Sequence, residues 1–132
     1  GEVDLITDFR VGDAPGFDQV FIDLTADEFA SLRGTSPGFV KDPISGALGA
    51  EEAFAVFTTE SFADLTWLDQ LGLEDEEVVY LLANEDASGE NAQLFRVEDI
   101  GTEFDTQALA NFENLELNNF LDDNCNTNYP IT

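Results

Sequence analysis

The stretch Glu77-Val78-Val79-Tyr80-Leu81-Leu82-Ala83 constrains the fold more than any other part of the sequence. Side chains of a strand alternate between two faces, so a run that is apolar at odd and even positions alike must be covered on both sides. Such a run belongs at the centre of a sheet. It is followed by the polar segment NEDASGEN and then by AQLFRVEDI, a second strand-like run. The pair predicts a prominent hairpin over residues 78–98.

Shorter elements are expected around it. Val3, Leu5, Thr7 and Phe9 share one face of a first strand, and Val20, Ile22 and Leu24 one face of a second. Thr25 and Glu28 form a capping box, with Leu24 and Phe29 placed for a hydrophobic staple, so a short helix should run to Arg33 and stop at Gly34. Residues 34–50, rich in Gly, Pro and Ser, read as a long surface loop. A third strand is expected over Ala53–Thr59. Ser61 can cap a helix carrying Phe62, Leu65, Leu68 and Leu71 on one side, ended by Gly72, with Trp67 in or near the core. TQALANF reads as a further helix, ENLELNNFL as an edge strand with Leu115 and Leu117 facing in, and the polar tail as frayed. The whole is an α+β domain, mainly antiparallel β, with about six strands and two or three short helices. Its expected core includes Leu5, Phe9, Val20, Ile22, Phe29, Val79, Leu81, Leu94, Phe95 and Leu117.

Length and composition bound the rest. A chain of 132 residues is one domain by size, able to bury a core without staples. Apolar residues make up 43% of it, against disorder. With 29 acidic and 4 basic residues the net charge is −25, which opposes binding to nucleic acid or anionic lipid and favours cations as partners. Histidine is absent and Cys125 is the only cysteine, which removes His-based triads, Cys/His zinc sites and any disulfide within the chain. No apolar run reaches membrane-spanning length. Phosphate-binding glycine motifs and serine-hydrolase or zinc-protease signatures are also missing. The chain is expected to be non-catalytic. It opens on Gly1 already in strand-like sequence, and so reads as a domain excised from a larger protein.

Candidate metal ligands lie in the hairpin loop. Asn84, Asp86, Ser88 and Glu90 put oxygen-bearing side chains at alternate positions, with Gly89 at a sharp turn, as calcium loops do. The loop is not an EF-hand, because Phe95 stands where a bidentate Glu is required and Asn91 where an apolar residue is needed. A polar hairpin turn with no ion is the plainer alternative. Asp8, Asp13 and Asp18 are a second candidate set. The tail run Asp122, Asp123, Asn124, Asn126 and Asn128 could wrap a cation or simply be solvated.

The order of short motifs resembles the region that follows the Gly-Asp nonapeptide repeats of RTX (repeats-in-toxin) proteins. The residues are Ile6-Thr7-Asp8-Phe9, Gly12-Asp13, Asp18 to Thr25, Phe29, the hairpin VVYLLANEDASGENAQLFRV, and Asn114 to Leu121. The resemblance covers roughly half of the chain. It implies a C-terminal domain of a secreted bacterial protein that caps a calcium-binding β-roll, engages the type I secretion machinery and folds when calcium is met outside the cell. Residues 97–132, with eight acidic and no basic side chains, fit the export signal of that family. No GGxGxDxxx repeat lies in the chain, so β-roll ligands cannot be assigned to it. Two rival readings stand beside this one. The first is a β-rich extracellular interaction or adhesion module. The second is a domain of a salt-adapted protein, its acidity a solvation device with no calcium role.

Overall fold

In the computed structural model the described residues are 4–7, 9, 20–22, 26–31, 38–42, 47–48, 52–85, 91–115, 117–119 and 125–127. They form β1 (Asp4–Ile6), β2 (Val20–Ile22), α1 (Ala26–Ser31), β3 (Gly38–Lys41), β4 (Glu52–Ser61), β5 (Val78–Asn84), β6 (Asn91–Asp99), β7 (Phe104–Glu113) and β8 (Cys125–Thr127). Two short 3-10 turns, Thr66–Leu71 and Leu117–Asn119, complete the set. Six strands make one sheet in the order β1-β7-β6-β5-β4-β3, and β2 pairs with β8 in a second, two-stranded sheet.

The expected hairpin is there. β5 and β6 are antiparallel with Leu82 opposite Leu94 and Tyr80 opposite Arg96. Every residue of β5 is buried, as its two-faced apolar pattern demands. Val78, Tyr80 and Leu82 face one cluster with Phe54, Val56, Leu94, Phe112, Leu115 and Leu117. Val79, Leu81 and Ala83 face another with Phe57, Trp67, Leu68, Leu71, Phe95 and Val97. Each fully buried aliphatic side chain contributes about 1.5–3 kcal/mol, so this strand anchors both layers.

The sheet is mixed. β5 with β6 is antiparallel as expected and β6 with β7 is antiparallel too, whereas β1 with β7, β3 with β4 and β4 with β5 are parallel, so the sheet is not mainly antiparallel. A parallel neighbour requires a crossover, and the segment carrying the Thr66–Leu71 turn supplies it between β4 and β5. Phe62, Leu65, Leu68 and Leu71 all face the Trp67 layer as their spacing requires, and Gly72 ends the turn at φ 76°. Ser61 does not cap it. Ser61 is the last residue of β4, and its hydroxyl accepts from Ala63 N at 3.0 Å.

Four expectations are corrected. TQALANF is strand, not helix: β7 carries one extra residue, Leu109, because Leu94 pairs with Ala110 while Phe95 pairs with Ala108. At such a bulge successive side chains fall on one side, and Leu109, Ala110 and Phe112 all pack on the Tyr80 face. That breaks the period of two and imitates a helical stripe. Among the described residues of ENLELNNFL there is no edge strand: β7 ends at Glu113, Asn114 takes φ 59° and Leu117–Asn119 form a 3-10 turn, although Leu115 and Leu117 are buried as expected. Residues 34–50 hold strand β3 and the buried Leu48, whose N–H donates to Leu71 O at 3.0 Å. The tail contains β8, paired with β2.

Of the expected core, Val79, Leu81, Leu94, Phe95 and Leu117 are buried. Phe9 is half-buried against Phe112, edge to face at 5.3 Å. Leu5 is 60% exposed, and its neighbour Ile6 packs inward instead. Pairing with β7 places Ile6 beside Phe112 and Leu5 beside Asn111, and a one-residue choice of register exchanges the two faces of a strand. The side-chain burial of Val20, Ile22 and Phe29 lies outside the described residues, as do Thr25, Arg33 and Gly34.

Candidate functional site

The mouth of the hairpin is built by side chains that replace missing ladder bonds. β4 and β5 pair from Phe57–Ala83 directly to Ser61–Asn84, so Thr58, Thr59 and Glu60 are looped out. Asn84 bridges the gap. It is 6% exposed, its Nδ2 donates to Thr58 O at 2.8 Å, and its backbone carbonyl accepts from Phe62 N at 2.9 Å. Ser61 Oγ donates to Glu85 O at 2.6 Å and Trp67 Nε1 to Ser61 O at 2.8 Å. On the other side of the gap Asp42, at φ 50°, accepts from Thr58 N at 2.7 Å and from Thr58 Oγ1 at 2.6 Å.

Of the hairpin-loop and Asp8 candidate sets only Asn84 is among the described residues, and of the tail run only Asn126, which lies in β8. Asp86, Ser88, Glu90, Asp8, Asp13 and Asp18 lie outside them. Asn84 Oδ1 is buried with no hydrogen-bond partner among the described residues, while its amide nitrogen serves the β4 irregularity. No three Asp, Glu, His or Cys side chains converge on a metal position among the described residues.

Beside this mouth, on the Trp67 face, the sheet changes character. Phe95 and Val97 are buried there, but further along the same strands Gln93 faces Asn111 and Asn91 faces Glu113. Gln93 Nε2 donates to Asn111 Oδ1 at 2.9 Å, and Asn91 Nδ2 to Glu85 Oε2 at 2.9 Å. With Phe62 these residues line an open cleft of about 290 Å³. The alternation in Asn91–Phe95 carried half of this signal. The other half was hidden while residues 106–112 read as a helix.

At the opposite end of the hairpin, two acidic turns meet. Glu76 N donates to Asp99 O at 2.7 Å and Asp99 N to Glu77 O at 3.1 Å. Asp99 Oδ1 accepts from Gly101 N at 2.8 Å, and Gly101 (φ 98°) lies so near Asp75 that a Cβ there would stand 3.1 Å from its Oδ1. Neither Gly72–Glu77 nor Asp99–Asp105 contains a basic residue.

The described cations are used elsewhere. Lys41 Nζ donates to Asn118 O. Arg96 reaches Glu98 Oε1 at 3.3 Å and stands opposite Tyr80. Burial raises the Tyr80 phenol above its ordinary value, with Arg96 opposing the rise and the carboxylate of Glu28 adding to it. Among the described residues no helix is long and apolar enough to cross a membrane.

No protein-family model, curated protein or solved structure matches this chain significantly.

Proposed function

We propose that this chain is a non-catalytic domain of an exported protein whose folded state is favoured by calcium. In this reading it caps a calcium-binding β-roll at its host's C-terminus and assists type I export, as its resemblance to the RTX post-repeat region implies. The observation that carries the calcium part is the distribution of charge. Lys41 and Arg96 are engaged within the fold, while the turns holding Asp75, Glu76, Glu77, Asp99 and Glu103 meet at one end with no basic residue in either. Like charges held together by backbone pairing repel, and a divalent cation relieves that repulsion better than a monovalent one. Where calcium is scarce the same repulsion would keep the chain loose for export.

The test is thermal unfolding in ~5 mM CaCl₂ against NaCl of equal ionic strength, the calcium level exceeding the ~10⁻⁴–10⁻³ M dissociation constants of extracellular modules. Tenfold excess over Kd adds ~1.4 kcal/mol, or roughly 3–6 °C for a domain of this size. Equal shifts in the two salts would replace this reading with the salt-adapted one. A β-rich interaction module is the second reading, and the exposed Leu5 on strand β1 at the end of the sheet favours it.

A further inference from the structure

The cleft beside the hairpin mouth has the makings of a binding site of its own. Glu85, the residue after β5, forms a row with Asn91 of β6 and Glu113 of β7, because Glu85 N donates to Asn91 O at 2.8 Å and Asn91 pairs with Glu113. Neighbouring strands are about 4.8 Å apart, which sets the two glutamates about 10 Å apart at the backbone with the cleft between them. Gln93 and Asn111 form the next row. Phe62 supplies the apolar wall.

Hydrogen bonding inside the cleft leaves a surplus of acceptors. Asn91 Nδ2 is directed to Glu85 Oε2 and Gln93 Nε2 to Asn111 Oδ1. Among the described residues Glu85 Oε1, both Glu113 oxygens, Asn91 Oδ1 and Gln93 Oε1 remain beyond those bonds, which favours a ligand rich in donors. Among the described residues the lining carries two negative charges and no positive one. Its volume, about 290 Å³, is roughly ten times the share of one water molecule, so it suits an organic group better than a lone ion. An aromatic ring favours a cation over its face.

We propose that this cleft binds an alkylguanidinium or alkylammonium group, clasped between Glu85 and Glu113 with its alkyl stem on Phe62. The group can come from a free amine or from an Arg or Lys side chain. The site is independent of the calcium reading, and either can fail without the other.

The experiment is an NMR titration of the intact chain at constant ionic strength with n-butylguanidinium, a blocked Gly-Arg-Gly tripeptide, neutral butyramide and calcium. Butylguanidinium should shift the backbone resonances of Phe62, Gln93 and Asn111. Glu85→Gln and Glu113→Gln should each weaken its binding ~3–5-fold, the range of an exposed ion pair. Glu103→Gln, in the acidic turn at the opposite end of the hairpin, should leave it unchanged. Tighter binding of the tripeptide identifies a protein side chain as the source, and weaker binding a free amine. The proposal is overturned if butyramide binds as well as butylguanidinium, if Glu103→Gln weakens binding as much as Glu113→Gln, or if calcium displaces butylguanidinium by occupying the cleft.

Discussion

Tyr80 and Asn84 sit on the same strand and face the same layer, and each puts a polar group into an apolar setting. The Tyr80 phenol, stacked on Phe54 at 5.7 Å, has its pKa raised chiefly by burial. A raised pKa in the folded state means that the stability it reflects is complete below the unfolded value of ~10 and is lost as pH rises through the folded one. Alkaline unfolding should therefore coincide with tyrosinate absorbance near 295 nm, and Tyr80→Phe should shift the transition to higher pH. Asn84 tests a different cost. Asn84→Ala leaves Thr58 O without its donor and should cost ~1–3 kcal/mol in urea titrations. Asn84→Asp should cost more at neutral pH, because a buried carboxylate would face that carbonyl, and the excess should vanish as pH falls below ~4 and the acid becomes neutral. Equal penalties at both pH values would mean that position 84 opens to solvent. The burial of Tyr80 follows from the two-faced apolar run, but that of Asn84 was not legible from the sequence. Asn84 read as a loop residue, and only pairing with Ser61 across the looped-out segment draws it inside.

Among the elements, the irregular ones decide the architecture. β4 departs from a regular ladder after Phe57, and Asp42 at the end of β3 restrains the departure through both Thr58 donors. Asp42→Ala removes two hydrogen bonds and sets a Cβ-bearing residue without polar compensation at positive φ, so a loss of ~2–3 kcal/mol is expected. Asp42→Asn keeps an acceptor and tolerates that backbone, and should lose less than ~1 kcal/mol. Equal losses for the two would show that the bonds to Thr58 are unimportant. β7 teaches the complementary lesson. Its apolar residues Ala108, Leu109 and Phe112 imitate one side of a helix because Leu109 is an extra residue in the ladder, and no local feature distinguishes a bulged strand from a short helix. β3 was hidden for another reason: Gly38–Lys41 lies among turn formers, and only pairing with β4 makes it a strand.

For the molecule as a whole, a net charge of −25 on a sheet covered on both faces sets apolar burial against self-repulsion. Raising NaCl from about 10 mM, where the Debye length is ~30 Å, to ~0.15 M, where it is ~8 Å, should raise the melting temperature. The single Trp67, 7% exposed and packed on Phe57 at 4.7 Å, reports the transition by a red shift of its emission. A melting temperature indifferent to salt would mean that the carboxylates lie too far apart to repel. The sequence by itself determined the hairpin, the central place of β5, the two covering layers and the acidic exterior. Each of these follows from side-chain periodicity or total charge, which act locally or additively. Only tertiary structure decided the parallel partners of β4, the inward turn of Ile6 in place of Leu5, the strand at Phe104–Glu113 and the cleft between Glu85 and Glu113. Those depend on register between segments distant in the chain, where one extra residue reverses which face a side chain takes.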